Sequence, residues 1–188
     1  MEEITQLDKK ILVFLNALGS EDYDSLWLFI TKQLHWTPIF LFVFYLMFKK
    51  IGWKNLLLVL VSLALLIAFT DQFTNLIKDH FQRLRPCKDP QICDVIRVVK
   101  SSDTFSFFSG HAANSMASTV FIFAILRKHY KYAILLFLFP LIFAYSRIYL
   151  GLHFPGDILT GYFIGTVFGF TFYKLYLMVH KKYFLKEI

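Results

Sequence analysis

The sequence predicts an all-α integral membrane protein, a helical bundle of about five transmembrane helices that follow an N-terminal amphipathic helix. Of its 188 residues, 57% are hydrophobic and only 18% are charged. Globular proteins carry roughly 25% charged residues, so this chain lacks the polar surface that water requires. The apolar residues also come in long runs, and the mean hydropathy is +0.55. The length fits a single domain over residues 1–188.

The first 20 residues do not resemble a secretory signal peptide, because their start is acidic and their apolar stretch is short. Six apolar residues recur there at helical spacing: Ile4, Leu7, Ile11, Phe14, Leu15 and Leu18. This spacing predicts an amphipathic helix, which either lies on the membrane surface or packs on the bundle.

Five apolar stretches are the candidates for transmembrane helices. They cover residues 25–48, 56–77, 111–126, 132–145 and 158–179. The first is the least uniform, with Lys32, Gln33, His35 and Pro38 in its first half. A helix needs about 20 residues to cross the hydrocarbon core, so the third and fourth stretches must extend into their polar flanks.

An odd number of spans puts the two chain ends on opposite sides of the membrane. Three short segments then share one side: residues 49–54, 127–131 and 180–188. Together they carry nine Lys and Arg residues against one Glu, so the positive-inside rule makes their side cytoplasmic. The long 78–109 loop and residues 146–157 would face the outside, which we expect to be the periplasmic side of a bacterial inner membrane. The outer side also carries basic residues, which reduces the difference in Lys and Arg content between the two sides. These residues have a functional explanation.

Cys87 and Cys93 lie six residues apart in the long loop, close enough in sequence to form a disulfide. An oxidising periplasm allows such a bridge, whereas a reducing cytosol does not favour it. Two free thiols are the alternative. Two cysteines without a matching Cys or His pair do not predict a zinc site, and we expect neither a metal ion nor another cofactor.

The stretch from Ser146 to Asp157 lies between two apolar runs, yet it contains an arginine, a histidine and an aspartate. Ionisable groups at a membrane boundary are costly to desolvate, so their presence favours a functional role. His153 and Asp157 are four residues apart, which puts them on one face if the segment is helical. The carboxylate can accept one imidazole N–H and leave the other nitrogen as a base or nucleophile, with Arg147 nearby to hold an anion.

Two further clusters fall on the same side of the membrane, at the end of the second span and the start of the third. Their residues are Lys78, Arg85, Ser109, Gly110 and His111. Two arginines, a lysine and the N–H groups at a helix N-terminus together suit a phosphate group. With histidines at 111 and 153, one ring can attack phosphorus while the other protonates the leaving oxygen.

The three clusters resemble the signature of the type 2 phosphatidic acid phosphatase superfamily. They read Lys78-x6-Arg85-Pro86, Ser109-Gly110-His111 and Ser146-Arg147-x5-His153-x3-Asp157. The resemblance implies a helical bundle that hydrolyses lipid phosphates without a metal, through a phosphohistidine. It also implies that His153 is the nucleophile, that Asp157 orients it, and that His111 is the general acid and base. The implied phosphate-binding residues are Lys78, Arg85, Ser109, Gly110 and Arg147.

One position departs from that signature, because Phe108 stands where the family usually has proline. Proline would preset the turn into the helix, so the change concerns the rigidity of the loop more than the chemistry. We expect Phe107 and Phe108 to contact acyl or prenyl chains instead.

Asp71 shares a helical face with Asn75 and Lys78, so we expect it to point into the bundle. There the carboxylate either supports Lys78 or forms a purely structural hydrogen bond. The sequence leaves both interpretations open.

The sequence therefore predicts an enzyme that hydrolyses a lipid phosphate or pyrophosphate at the outer face. Undecaprenyl pyrophosphate is the preferred substrate, followed by phosphatidylglycerol phosphate and phosphatidic acid. The alternatives are a non-catalytic phospholipid binder or transporter, which needs no oriented His–Asp pair, and a vanadate-dependent haloperoxidase, whose relatives are soluble. The net charge of +7 does not predict a nucleic acid partner, because the basic residues are dispersed between the spans.

Overall fold

The computed structural model describes residues 2–184, and over this range the chain is helical without a β-strand. Its α-helices are α1 (Glu2–Ala17), α2 (Asp24–Ile30), α3 (Thr37–Phe81), α4 (Gly110–Leu126), α5 (Leu138–Tyr149) and α6 (Pro155–Phe184). Short 3₁₀ segments precede α3 and α5, at Gln33–Trp36 and Ala133–Phe137. The predicted fold class, a helical membrane bundle, is confirmed.

The helix α3 is broken at Gly52, where the backbone has φ 73° and ψ 174° and separates an arm over residues 37–51 from one over 53–81. Glycine adopts a positive φ readily because it lacks a Cβ. The chain reverses here, since Phe40 on the first arm and Asp71 on the second border the same cavity. The two arms are therefore separate spans.

By length and composition, two helical segments within residues 2–184 are suited to cross a membrane, Gln33–Lys88 and Pro155–Tyr183. Two shorter apolar helices, Gly110–Leu126 and Ala133–Tyr149, lie between them in the chain. The first long segment contains both arms of α3. The described residues thus contain the five apolar helical stretches that the sequence predicts.

The first predicted span, residues 25–48, is wrong in its first half. α2 ends at Ile30, and a 3₁₀ turn separates it from α3. Lys32 and His35 fall in this interruption and not inside a span. Pro38 occupies the first turn of α3, where a missing N–H leaves no helical hydrogen bond unmade.

The helix α4 packs closely against α6, because a row of small residues on α6 faces the backbone of α4. Gly161, Gly165 and Gly169 recur every four residues and so lie on one face. A Cβ at any of the three would lie within 2.7 Å of a backbone carbonyl oxygen of α4 or of Ser109, the residue that precedes it. Glycine allows this close approach, which is how membrane helices gain packing contacts without a hydrophobic driving force.

The helix α1 packs on the bundle, which is one of the two arrangements that the sequence left open. Leu12 and Asn16 are fully buried against the bundle, and the Asn16 amide donates to the carbonyl oxygens of Ile148 and Tyr149. Five of the predicted apolar residues are exposed: Ile4, Leu7, Ile11, Phe14 and Leu18. One face of α1 is therefore docked on the protein, and the apolar residues of another face are exposed.

The three basic segments meet at one end of the bundle. Lys50 lies over the Tyr130 ring at 5.6 Å, and the Tyr130 hydroxyl donates to the Leu46 carbonyl oxygen at 3.2 Å. Lys50, Lys128 and His180 also border a cavity of about 450 Å³. Residues 185–188 of the third segment lie outside the described range. The residues singled out for chemistry lie at the opposite end of the bundle.

Both cysteines are free thiols in this structure. The Cys87 sulfur lies 4.0 Å from the Ser101 hydroxyl, and the Cys93 thiol donates to the Asp94 carboxylate at 3.6 Å. A disulfide between Cys87 and Cys93 stays a prediction.

The substitution Gly165→Ala tests the close contact between α4 and α6. The added Cβ would clash with the Ala113 carbonyl oxygen, so the helices would have to separate. Overpacking of this kind costs about 1–3 kcal/mol, and we expect that loss in the free energy of unfolding of the purified protein in detergent. Phe163→Ala, on the exposed face of α6, is the control and should change it by less than about 1 kcal/mol. Unchanged stability of Gly165→Ala would contradict the close packing.

Candidate active site

A short turn between α5 and α6 presents His153. Gly151 ends α5 with φ 74°, a conformation that favours glycine. The N–H groups of Leu152 and His153 then donate to the Arg147 carbonyl oxygen at 2.9 and 3.3 Å. A Cβ on Gly151 would also lie 3.0 Å from the Arg97 carbonyl oxygen. The turn therefore fixes His153 next to the last turn of α5, which carries Arg147.

Asp157 lies in the first turn of α6. Phe154 precedes this helix and Pro155 begins it, at a position where proline is favoured. The Asp157 carboxylate reaches back and accepts the Phe154 N–H at 3.0 Å, as the acidic residue of a capping box does. The partial positive charge of the helix N-terminus also favours a carboxylate here.

His153 and Asp157 form the buried pair that the sequence predicts, with exposures of 1% and 0%. The ring Nδ1 lies 3.4 Å from the Asp157 Oδ2, although His153 precedes α6 and is not part of a helix. Burial lowers the pKa of His153 to about 3, an effect that Asp157 only partly offsets, so the ring is neutral at neutral pH. With Nδ1 facing the carboxylate, Nε2 keeps a lone pair that can act as a nucleophile.

Arg85 lies at the other nitrogen of the His153 ring. Its Nη1 is 3.2 Å from the His153 Nε2 and donates to the Leu152 carbonyl oxygen at 3.0 Å. Its Nε and Nη2 donate to the carbonyl and hydroxyl oxygens of Thr104, each at 2.7 Å. The guanidinium is thus held beside Nε2, where it can bind an anion that approaches this nitrogen.

The N-terminus of α4 is joined to that of α6. Ser109 caps α4, and its hydroxyl oxygen accepts the Ala112 N–H at 3.4 Å while its own proton remains free to donate. The Ser109 N–H donates to the Asp157 carbonyl oxygen at 3.1 Å, so it is already used. The N–H groups of Gly110 and His111 belong to the first helical turn, where no internal acceptor exists, and they suit a phosphate.

His111 and Lys78 border a cavity of about 310 Å³. The His111 ring is stacked on Phe143 with 5.4 Å between the ring centroids. The positive charges of the two buried arginines, Arg85 and Arg147, also act on this ring. All eight residues that the sequence assigns to catalysis or phosphate binding therefore meet at one end of the bundle.

Arg147 is only 6% exposed, and it leaves one donor unused. Its Nη1 donates to the Thr31 hydroxyl at 2.6 Å, whereas its buried Nε has no hydrogen-bond partner within residues 2–184. A buried donor without an acceptor is costly. A phosphate oxygen would supply that acceptor, which fits the predicted role of Arg147.

Two residues that the sequence analysis did not single out hold Asp157 in place. The Ser106 hydroxyl donates to the Asp157 Oδ2 at 2.5 Å, and the Arg83 Nη1 donates to Oδ1 at 2.7 Å. Ser106 also lies 3.4 Å from the His153 Nδ1. Arg83 could have been found, because it is a further cation at the membrane boundary two residues before Arg85. Nothing in the sequence distinguishes Ser106 from the other serines of the loop.

Arg83 connects the buried carboxylate to α1. Its Nη2 donates to the Asp8 Oδ2 at 2.7 Å, and its guanidinium lies 3.9 Å from the centroid of the Phe154 ring. The Asp8 Oδ1 accepts the Gly156 N–H at 2.7 Å. The N-terminal helix therefore takes part in supporting Asp157.

Phe108, at the position of the usual proline, is 2% exposed, and its ring centroid lies 6.3 Å from that of Phe73. The expected contact of Phe108 with lipid chains is therefore wrong, because the side chain fills the protein interior. Phe107 is partly exposed and packs on Phe81 at 5.1 Å.

Asp71 accepts a hydrogen bond from the Asn114 amide at 2.5 Å, but the residue is exposed, so the expected position in the bundle interior is wrong. This is the interhelical hydrogen bond that the sequence left as one of two possibilities. It joins the second arm of α3 to α4.

A buried neutral histidine paired with a carboxylate, a second histidine and three cations can together transfer a phosphoryl group. In a membrane bundle, this combination defines the class of membrane phosphate hydrolases. The sequence profile of the PAP2 superfamily matches residues 55–181. The chain belongs to the PAP2 superfamily, the type 2 phosphatidic acid phosphatases, and it is a lipid phosphatase. The predicted family and the predicted enzyme class are confirmed, and neither alternative function is supported.

Two curated relatives resemble nearly the whole chain. The lipid A 4'-phosphatase of Bacteroides thetaiotaomicron is 33% identical over 185 residues, which cover 96% of this chain and 80% of that protein. The lipid A 4'-phosphatase of Porphyromonas gingivalis is 28% identical over 187 residues, covering 97% of this chain and 78% of that protein.

Two crystal structures share the fold. One is the transmembrane PAP2-type phosphatidylglycerolphosphate phosphatase of Bacillus subtilis, with a TM-score of 0.73 and 20% identity over 95% of this chain and 89% of that one. The other is LpxE of Aquifex aeolicus, with a TM-score of 0.58 and 21% identity over 88% of this chain and 93% of that one. At these identities the likeness concerns the fold, and it agrees with a transmembrane bundle.

The substitution Arg83→Gln tests the support of Asp157. Hydrogen bonds to charged groups contribute about 1.5–3 kcal/mol, so we expect kcat to fall by roughly 10–100-fold. KM should change little, because Arg83 contacts Asp157 and does not border the cavity. Phosphate release from a lipid phosphate measures both constants.

Arg83→Lys should recover part of the lost kcat, since it restores the charge without the second hydrogen bond. The control is Lys88→Gln, which removes an exposed ion pair with Asp103 and should leave kcat unchanged. Normal turnover of a folded Arg83→Gln variant would show that Asp157 does not need this partner.

Proposed function

We propose that this lipid phosphatase cleaves a phosphomonoester of a membrane glycolipid in two steps, with His153 as the nucleophile. The observation that carries the proposal is the buried His153 ring, neutral and held by Asp157 at Nδ1, with Arg85 at its Nε2. A single neutral ring placed between a carboxylate and a cation is suited to attack an anionic phosphate.

In the first step, the His153 Nε2 forms a bond to phosphorus while the ester P–O bond breaks. The leaving oxygen takes a proton from His111, which carries it because a bound phosphate dianion favours the charged ring. The Nδ1–H of His153 stays directed at Asp157, whose charge stabilises the positive ring that forms.

In the second step, a water molecule attacks phosphorus and gives a proton to His111. The N–P bond breaks, inorganic phosphate leaves, and the electron pair returns to the His153 Nε2. Both histidines end in the protonation state in which they began, so the cycle requires no other reactant than water.

Binding of the phosphate falls to Lys78, Arg85 and Arg147, together with Ser109 and Gly110. Arg85 already lies at Nε2, and Arg147 has an unused buried donor. Charges fixed in a dry site stabilise the developing charge of phosphoryl transfer without reorganisation.

The substrate we propose is a lipid A-type glycolipid phosphate. Support comes from the two relatives that match over nearly the whole chain, because both are lipid A 4'-phosphatases. Undecaprenyl pyrophosphate, preferred from the sequence, has no support among these relatives and becomes the competing substrate.

The site faces the outer side of a bacterial inner membrane in this proposal. The basic segments around Lys50 and Lys128 lie at the other end of the bundle, and basic ends are retained in the cytoplasm. A lipid phosphate whose head group lies in the outer leaflet could then reach the site directly.

A panel of lipid phosphates tests the proposal by release of inorganic phosphate. The panel contains a lipid A-type 4'-phosphate, phosphatidylglycerol phosphate, phosphatidic acid and undecaprenyl pyrophosphate. We expect the highest kcat/KM on the first, and turnover in right-side-out vesicles without permeabilisation. Turnover should also persist in a chelator, because the mechanism uses no metal.

His153→Ala is the control and should abolish release from every member of the panel. Preference for undecaprenyl pyrophosphate would overturn the substrate, and a need for permeabilisation would overturn the sidedness. Loss of activity in a chelator, restored by magnesium, would overturn the metal-free mechanism.

A further inference from the structure

The cavity at His111 has more polar groups than phosphate chemistry uses. Lys78, Gly110 and His111 are assigned to the phosphate, but Asp71 and Asn114 border the same cavity. A carboxylate in a membrane-spanning helix is costly and marks a functional position by default. Asp71 therefore calls for a role of its own.

Asp71 and Asn114 together offer acceptors without matching donors. The Asn114 Nδ2 donates to the Asp71 Oδ1 at 2.5 Å, which uses one oxygen of the carboxylate. The Asn114 Oδ1 is buried and has no hydrogen-bond partner within residues 2–184. A buried carbonyl oxygen without a donor costs free energy, so a ligand that brings hydroxyl or amide N–H groups would be favoured here.

Aromatic rings complete the cavity wall. Phe143 is stacked on His111, and Phe139 is stacked on Phe143 with 5.3 Å between centroids. Both phenylalanines border the cavity, as does Phe40. Flat apolar faces beside hydrogen-bond acceptors suit a compact polar group that has both C–H faces and O–H donors, such as a sugar or a polyol.

The position next to His111 indicates which part of a substrate would lie there. In the proposed mechanism, His111 protonates the leaving oxygen, so groups adjacent to His111 are adjacent to the leaving group. Asn114 is three residues after His111 on α4, which puts the two side chains on one helical face.

We propose that Asp71 and Asn114 form a subsite for the leaving group of the substrate, and that they select leaving groups with hydroxyl or amide donors. The subsite rests on the proposed function and refines it. A glucosamine or glycerol head group has hydroxyl or amide donors in addition to the leaving oxygen, whereas the diacylglycerol part of phosphatidic acid has no donor besides the hydroxyl that forms on the leaving oxygen.

Three substrates and two variants test the subsite. Asp71→Asn removes the charge and keeps the shape, and Asn114→Ala removes the unpaired acceptor. Each should lower kcat/KM on the lipid A-type phosphate by about 10-fold or more, the equivalent of one hydrogen bond to a charged or buried group. On phosphatidic acid, both variants should stay within about 2-fold of the wild type, because no donor is lost. Phosphatidylglycerol phosphate shows whether a glycerol head group also uses the subsite.

Gln72→Ala is the matched control, since Gln72 is exposed like its neighbour Asp71 but does not border the cavity. Loss restricted to the lipid A-type substrate would identify a sugar subsite, and loss on both hydroxyl-bearing lipids would identify a general polyol subsite. An equal loss on all three lipids would overturn the proposal and reduce the Asp71–Asn114 pair to a structural link between α3 and α4. A wild-type protein that hydrolyses none of the three would instead overturn the proposed function itself.

Discussion

The close contact between α4 and α6 is the constraint on which the site depends. His111 belongs to α4, whereas Asp157 belongs to α6, so the distance between the two helices sets the distance between the two halves of the site. The glycine row on α6 brings the backbones together, and the Ser109 N–H then reaches the Asp157 carbonyl oxygen. In lipid, apolar side chains gain nothing by leaving the bilayer, so such packing and interhelical hydrogen bonds determine helix association.

The second requirement is a stable charge on a fully buried carboxylate. Desolvating an ion costs several kcal/mol, which only close partners can offset. Asp157 has such partners in Ser106, Arg83 and the Phe154 N–H, and Arg83 is itself held by Asp8 of α1. The orientation of the histidine thus depends on the N-terminal helix α1, which carries none of the proposed catalytic groups.

The fold class and the eight motif residues could be predicted because residue type and short-range spacing reveal them. The support of Asp157 could not, because it joins residues far apart in the chain: Arg83 and Asp157 are separated by 74 positions, and Asp8 and Gly156 by 148. The first span was misplaced because hydropathy does not register the helix break that precedes Pro38. The identity of the lipid could not be predicted, because the residues assigned to the phosphate carry no information about the rest of a substrate.

The proposed reaction requires that His153 carries the phosphoryl group between the two steps, so this intermediate can be trapped and located. In His111→Ala, an aryl phosphate with radiolabelled phosphorus should still react, because its leaving group needs little protonation, while hydrolysis of the intermediate should slow by roughly 10²–10⁴-fold. We expect label that is stable in alkali and lost in acid. It should be located on His153 by mass spectrometry and absent from the His111→Ala, His153→Ala double variant. Label on another residue, or hydrolysis without any enzyme-bound phosphate, would contradict it.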